Sequence, residues 1–146
     1  MKTALLDANV LIALLWPAHE HHALALGWFA ATGRRRWATC PLTQLAFVRI
    51  VSNTAFSRDA LSPAEAVILL ARNLRHSRHV FWPDDLPLDA GIAGAIDRLQ
   101  GHRQLVDAYL LALASRHHGV LATFDAGLEA IAPPERRAAV EIIGRR

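Results

Sequence analysis

The sequence predicts an α/β protein: a mostly parallel sheet of about five strands with helices on both faces. Three observations predict it. Short apolar runs alternate with longer helical patterns along the whole chain. Of the 146 residues, 53% are apolar and 20% charged, which suits one buried core and excludes disorder and collagen-like repeats. No internal repeat or linker divides the chain, so residues 1–146 are expected to form one domain. Strands separated by helices imply right-handed crossovers, hence parallel strands covered on both sides.

Each element has its own signal. Residues 3–6 form an apolar run with Asp7 behind it, and residues 8–15 read as a helix that Pro17 stops or kinks. A second helix over 19–31 carries Leu24, Leu26, Trp28 and Phe29 and ends near Gly33. Residues 37–40 suit a second strand, and the apolar spacing from Leu42 suits a helix to about residue 53. Ser62-Pro63-Ala64-Glu65 has a cap residue, a first-turn proline and a glutamate three after the cap, which starts a helix running to about residue 76. Residues 79–82 are a third strand closed by Pro83, and 89–99 a helix weakened by two internal glycines. Residues 104–117 make the strongest helical pattern, with Gly119 as its stop. A fourth strand at 120–123, a short helix at 126–131 and a fifth strand at 139–143 complete the alternation.

Several classes drop out on composition. The lone Cys40 forms no internal disulfide, and no Cys/His spacing marks a structural zinc site, so a reducing compartment is expected. The apolar stretch from Met1 to Trp16 imitates a secretory signal, but Asp7 stands near its middle, where a carboxylate costs several kcal/mol in lipid. No apolar run reaches the roughly 18 residues of a membrane span, so a cytoplasmic protein without membrane partners is expected. The formal charge of +3 permits a nucleic-acid partner without demanding one. A P-loop and a GxGxxG are absent.

Acids occupy the informative positions. In an open parallel sheet, ligands bind beyond the carboxyl ends of the strands, where strand order reverses. Asp7 follows the first strand, Asp125 follows the fourth, and Asp107 lies in the first turn of an otherwise apolar helix, all expected at one rim. Three converging carboxylates hold protons unless a positive charge sits among them, and hard Mg²⁺ or Mn²⁺ resolves the repulsion. Such an ion lowers the pKa of a bound water and stabilises a leaving oxyanion, which suggests metal-assisted phosphodiester hydrolysis. Each acid also has a plainer reading: Asp7 and Asp125 as helix N-caps worth roughly 1 kcal/mol each, and Asp107 as a solvated side chain.

Four segments resemble PIN-domain ribonucleases of the VapC toxin type: residues 5–14 (LLDANVLIAL), 41–49 (PLTQLAFVR), 106–114 (VDAYLLALA) and 121–125 (LATFD). The resemblance spans nearly the whole chain. It implies a three-layer α/β/α sandwich, a Mg²⁺ or Mn²⁺ pocket, RNA cleavage, a cognate small antitoxin of the VapB kind and a homodimer. The family's first, third and fourth acids fall on Asp7, Asp107 and Asp125, and Asn9 and Thr123 match polar positions that order the site. The second departs from the pattern. Gln44 stands where the family usually has Glu, and an amide supplies neither charge nor a base. Gln44→Glu is therefore expected to increase metal-dependent cleavage. The alternative is a cleavage-impaired module that binds RNA or antitoxin through the same fold. A receiver-like phosphoacceptor fits badly, because Lys2 is the only lysine.

Other polar features are weighed as surface first. His19-Glu20-His21-His22 lacks the spacing of a zinc helix and reads as a solvated helix start. If RNA binds, Arg34, Arg35, Arg36 and Arg49, with His102 and Arg103 near Asp107, are the candidates for phosphate contacts.

Overall fold

The computed structural model describes residues 1–144. Five strands, β1 (Ala4–Leu6), β2 (Trp37–Thr39), β3 (His79–Phe81), β4 (Val120–Thr123) and β5 (Val140–Ile142), form one sheet in the order β3-β2-β1-β4-β5. Every neighbouring pair is parallel, with Leu5 in register with Ala38 and Leu121. The helices are α1 (Ala8–Leu15), α2 (His22–Ala31), α3 (Pro41–Val51), α4 (Pro63–Leu74), α5 (Leu88–Ile92), α6 (Leu105–Arg116) and α7 (Leu128–Ile131).

Alternation along the strands sends neighbouring side chains to opposite faces. Leu5, Ala38 and Leu121 pack with Tyr109, Leu110 and Leu113 of α6 and with Leu128 and Ile131 of α7. On the other face, Ala4, Leu6, Trp37, Val120 and Ala122 pack with α1, with Phe47 and Val51 of α3, and with Ala66 and Leu70 of α4. The result is the expected three-layer α/β/α sandwich. Residues 108–114 of α6 are all buried, so this helix is walled in around its circumference. Among the described residues no helix is long and apolar enough to cross a membrane.

Local chemistry accounts for the boundaries. Ser62 Oγ accepts from the Glu65 amide at 3.1 Å, and the Glu65 carboxylate accepts from the Ser62 amide at 3.0 Å, so the reciprocal cap foreseen in the sequence starts α4. Helix α2 starts at His22 rather than residue 19, because the segment after Pro17 closes a turn in which the His21 amide donates to His19 Nδ1. The glycine-weakened segment breaks into α5 and a 3₁₀ turn over Ile96–Arg98. Residues 126 and 127 stay outside α7 because Asp125 Oδ1 draws the Gly127 amide into a turn.

The stop of α6 differs from expectation. His118, not Gly119, takes the left-handed conformation, with φ of 56°. Gly119 is required for space: a Cβ there would lie 2.5 Å from the Thr3 carbonyl oxygen and 2.6 Å from the Trp82 ring. Gly119→Ala is expected to destabilise the protein by about 1–3 kcal/mol. Gly101→Ala, in extended backbone with open space around it, should be neutral or stabilising by up to about 1 kcal/mol. Urea unfolding midpoints of the two variants check both.

Candidate active site

Strand order reverses between β1 and β4, so the chain departs in opposite directions from this central pair and leaves a crevice at its carboxyl edge. Asp7 directly follows β1 and its amide donates to the Ala122 carbonyl of β4 at 3.0 Å, which anchors the acid's backbone to both strands. Its side chain is nearly buried, at 9% exposure. Oδ1 accepts from the Ala8 amide at 2.8 Å, and Oδ2 accepts from the Thr123 hydroxyl at 2.8 Å. Asp7 is thus an N-cap of α1 and a crevice acid at once.

Thr123 joins the first acid to the last. Its hydroxyl donates to Asp7 and accepts from the Asp125 amide at 3.1 Å, while Asp125 Oδ1 accepts from the Gly127 amide at 2.8 Å. Asp107 arrives from the opposite side of the crevice, because α6 leads into β4 and therefore begins near the strands' carboxyl ends. Half-buried, it makes no side-chain hydrogen bond among the described residues.

The three carboxylates act on one another electrically. Burial raises the Asp107 pKa to about 6, with the charges of Asp7 and Asp125 adding to the effect. Burial also raises Asp7, against the lowering by Thr123 and Ala8, and the Asp125 charge adds to the rise. None of the three forms a salt bridge among the described residues. Their hard, uncompensated oxygens fit a divalent cation in chemistry. They do not close on a shared point: no three His, Cys, Asp or Glu side chains among the described residues are arranged to hold an ion.

Gln44 sits in the first turn of α3, immediately beyond β2, and its Nε2 donates to Thr39 Oγ1 at 3.0 Å. Thr39 in turn meets His79 Nε2 at 2.7 Å. Sequence reasoning passed over Thr39 and His79; the one available signal was a hydroxyl ending an otherwise apolar strand. Asn9 is exposed in the first turn of α1 and makes no side-chain hydrogen bond among the described residues.

The basic candidates separate by position. Arg34, Arg35 and Arg36 precede β2 and so lie at the sheet's amino edge, away from the acids. Arg35 is committed there: its guanidinium binds Glu141 through two contacts of 2.9 Å and donates to the Lys2 carbonyl. The Arg35 guanidinium is thus occupied by an ion pair that holds the edge strand β5. Arg49 is exposed in the last turn of α3, far along that helix from Gln44. His102 and Arg103 are exposed in the 3₁₀ turn that leads into α6, on the Asp107 side.

The chain matches the PIN domain over residues 4–133, nearly the whole of this parallel α/β sandwich. Ribonuclease VapC39 of Mycobacterium tuberculosis is 49% identical over 126 residues, covering 86% of this chain and 91% of that protein. Ribonuclease VapC38 of the same organism is 39% identical over 140 residues, covering 96% and 97%. VapBC2 from Rickettsia felis, solved bound to a DNA fragment from its promoter, shares the fold, with a TM-score of 0.61, 13% identity and coverage of 96% and 98%. The chain belongs to the VapC ribonucleases of the PIN-domain family.

The site carries a cost to stability whose sign is fixed. Asp107 has a folded pKa near 6 against an ordinary 3.8, so the unfolded chain releases this proton first and stability falls as pH rises between those values. With screening of a half-exposed group, the loss at pH 7 is about 1–2 kcal/mol. Asp107→Asn should raise the melting temperature of the metal-free protein by a few degrees at pH 7, less what the α6 dipole gives the carboxylate, and make little difference at pH 4. Thermal melts at the two pH values check this.

Proposed function

We propose that the chain is a Mg²⁺- or Mn²⁺-dependent endoribonuclease toxin that hydrolyses RNA phosphodiester bonds with water as the nucleophile. The observation that carries this reading is the gathering of Asp7, Asp107 and Asp125 at one crevice, where the neighbouring charges raise the pKa of Asp7 and Asp107 further and, among the described residues, no cation forms an ion pair with them. These three residues would hold the ion, which supplies positive charge to the phosphate and acidifies water. Thr123 keeps the Asp7 carboxylate and the Asp125 backbone in fixed relation. Asp107 must give up its proton before it serves as a ligand, so ion affinity should fall below about pH 6. Asp7 and Thr123 are buried and do not reach a base. Preference for RNA then comes from shape and 2′-hydroxyl contacts made elsewhere on the rim.

Two protein partners belong to this reading. A small VapB-like antitoxin would lay an apolar segment in the cleft of about 660 Å³ between the end of α1 and α4, lined by Leu15, Trp16, Leu61, Ile68 and Leu69, with Asp59, Glu65 and Arg72 also on its lining. A second copy of the chain would cover Leu88, Leu105 and Val106, which are 40–58% exposed beside the crevice. One observation favours a slower enzyme that chiefly binds: Gln44 brings an uncharged amide where a carboxylate would strengthen the ion site.

Incubation of a mixed RNA pool should give cleavage with Mn²⁺ and none with chelator, and Asp7→Asn should lower the rate by about 100-fold or more. Full activity of Asp7→Asn would overturn the assignment. Arg103→Ala should weaken binding and reduce the slope of log affinity against log salt by about one contact, while Arg35→Ala leaves that slope unchanged. Titrations at several salt concentrations distinguish them.

A further inference from the structure

Charge is divided between the two edges of the sheet. All neighbouring strands run parallel, so the residues that enter them share one edge and the residues that leave them share the other. The three residues before each strand contain no aspartate or glutamate, and among them are Lys2, Arg34, Arg36, Arg78 and Arg137. The three residues after each of β1, β2, β3 and β4 contain no lysine, arginine or histidine, and among them are Asp7, Asp84 and Asp125. The edge opposite the crevice is therefore basic.

Backbone bonds draw part of this edge into a row. The Ala4 amide donates to the Arg36 carbonyl at 3.1 Å and the Trp37 amide to the Arg78 carbonyl at 3.1 Å, so the entries to β1, β2 and β3 stand side by side, about 4.8 Å from strand to strand. The Arg78 guanidinium carbon lies 4.8 Å from the centre of the Phe29 ring, and Nη1 donates to the Arg35 carbonyl at 3.4 Å. Arg78 is thus oriented by groups that leave its charge in place. Arg34 and Arg36 are exposed, and among the described residues neither they nor Arg78 form a salt bridge. Arg35 stands apart, because Glu141 neutralises it.

His76 adds a donor of fixed direction. Its Nδ1 accepts from the Arg78 amide at 3.1 Å and from the Trp37 indole at 3.4 Å, so in the neutral ring Nδ1 is a lone pair and the hydrogen is on Nε2. The ring is braced by Phe29 and Trp37, with centroids 5.7 and 5.9 Å away. His76 is exposed, and its Nε2 has no protein partner among the described residues. Guanidinium groups and ring N–H groups are the donors that hold phosphate oxygens.

We propose that Arg34, Arg36, His76 and Arg78 form a second RNA-binding surface at the amino edge, which holds the phosphodiester backbone on the side of the molecule opposite the acids. RNA is the occupant because the crevice presents carboxylates to a chain of phosphates and repels it, so attraction comes from another face. Contacts of this kind fix position and read charge, not sequence. The surface therefore sets how firmly RNA is held and leaves the chemistry of cleavage to the crevice.

The identity of the occupant rests on the ribonuclease reading, and the test keeps the two separate. Binding of a labelled single-stranded RNA of about 20 nucleotides, longer than the span of a typical single-strand site, is titrated with chelator present at several salt concentrations. Arg34→Ala/Arg36→Ala should weaken binding about 10-fold and reduce the slope of log affinity against log salt by about 1.4, or about 0.7 for each contact. His76→Ala should weaken binding about 3-fold with the slope unchanged, because a neutral donor displaces no counterion. In Mn²⁺-dependent cleavage the double variant should raise KM about 10-fold at unchanged kcat. Unchanged affinity and slope in the double variant, or unchanged affinity in His76→Ala, would overturn the proposal. Tighter binding of a poly-glutamate peptide of equal charge than of the RNA would assign the edge to an acidic protein segment and overturn it as well. Absence of cleavage by every form would reject the enzyme reading, and the titrations with chelator would still decide the surface.

Discussion

Burial of carboxylates beside one another is the constraint around which this molecule is arranged. Asp7 is buried and Asp107 half-buried while Asp125 stays exposed, and three separate elements hold them at one edge. The Asp7 backbone is bonded to β4 and its carboxylate to Thr123; Asp125 is held by a turn through Gly127; Asp107 is carried in the first turn of α6, whose residues 108–114 are all buried. The scaffold's rigidity lies in the central strand pair and the two apolar layers, and it opposes an electrostatic strain concentrated at one edge.

The pairing of β1 with β4 explains why residues more than a hundred positions apart meet. Hydrogen bonding of these strands brings Leu6 level with Ala122, and each strand then delivers its next polar residue to the same edge. A helix that feeds β4 from the side of its carboxyl end supplies the third acid without any further device. The chemistry of the site is thus a direct product of strand order.

Much of this was legible in the residues themselves. Alternation of short apolar runs with helical patterns gave the layered fold, and the carboxylates were visible because each interrupts an apolar segment. Ser62 and Glu65 announced the start of α4 through chemistry local to four residues. What escaped notice depends on distant contacts. Arg35 looked like part of a surface charge run, and only the approach of Glu141 from the far end of the chain makes it structural. Gly119 looked like a helix stop because glycine favours left-handed backbone, whereas its role is set by the nearby Thr3 carbonyl and Trp82 ring. Thr39 offered only a hydroxyl ending an apolar strand, and its contact with His79 on the neighbouring strand has no period along the chain.

The contacts of Glu141 bear on how the edge of the sheet is fastened. This single carboxylate receives two bonds from Arg35 and one from the Trp28 indole, so it tethers α2 and the approach to β2 to the edge strand β5. One side chain thus ties three separate stretches of chain together, and its loss would loosen the helix, the strand approach and the edge strand in a single event.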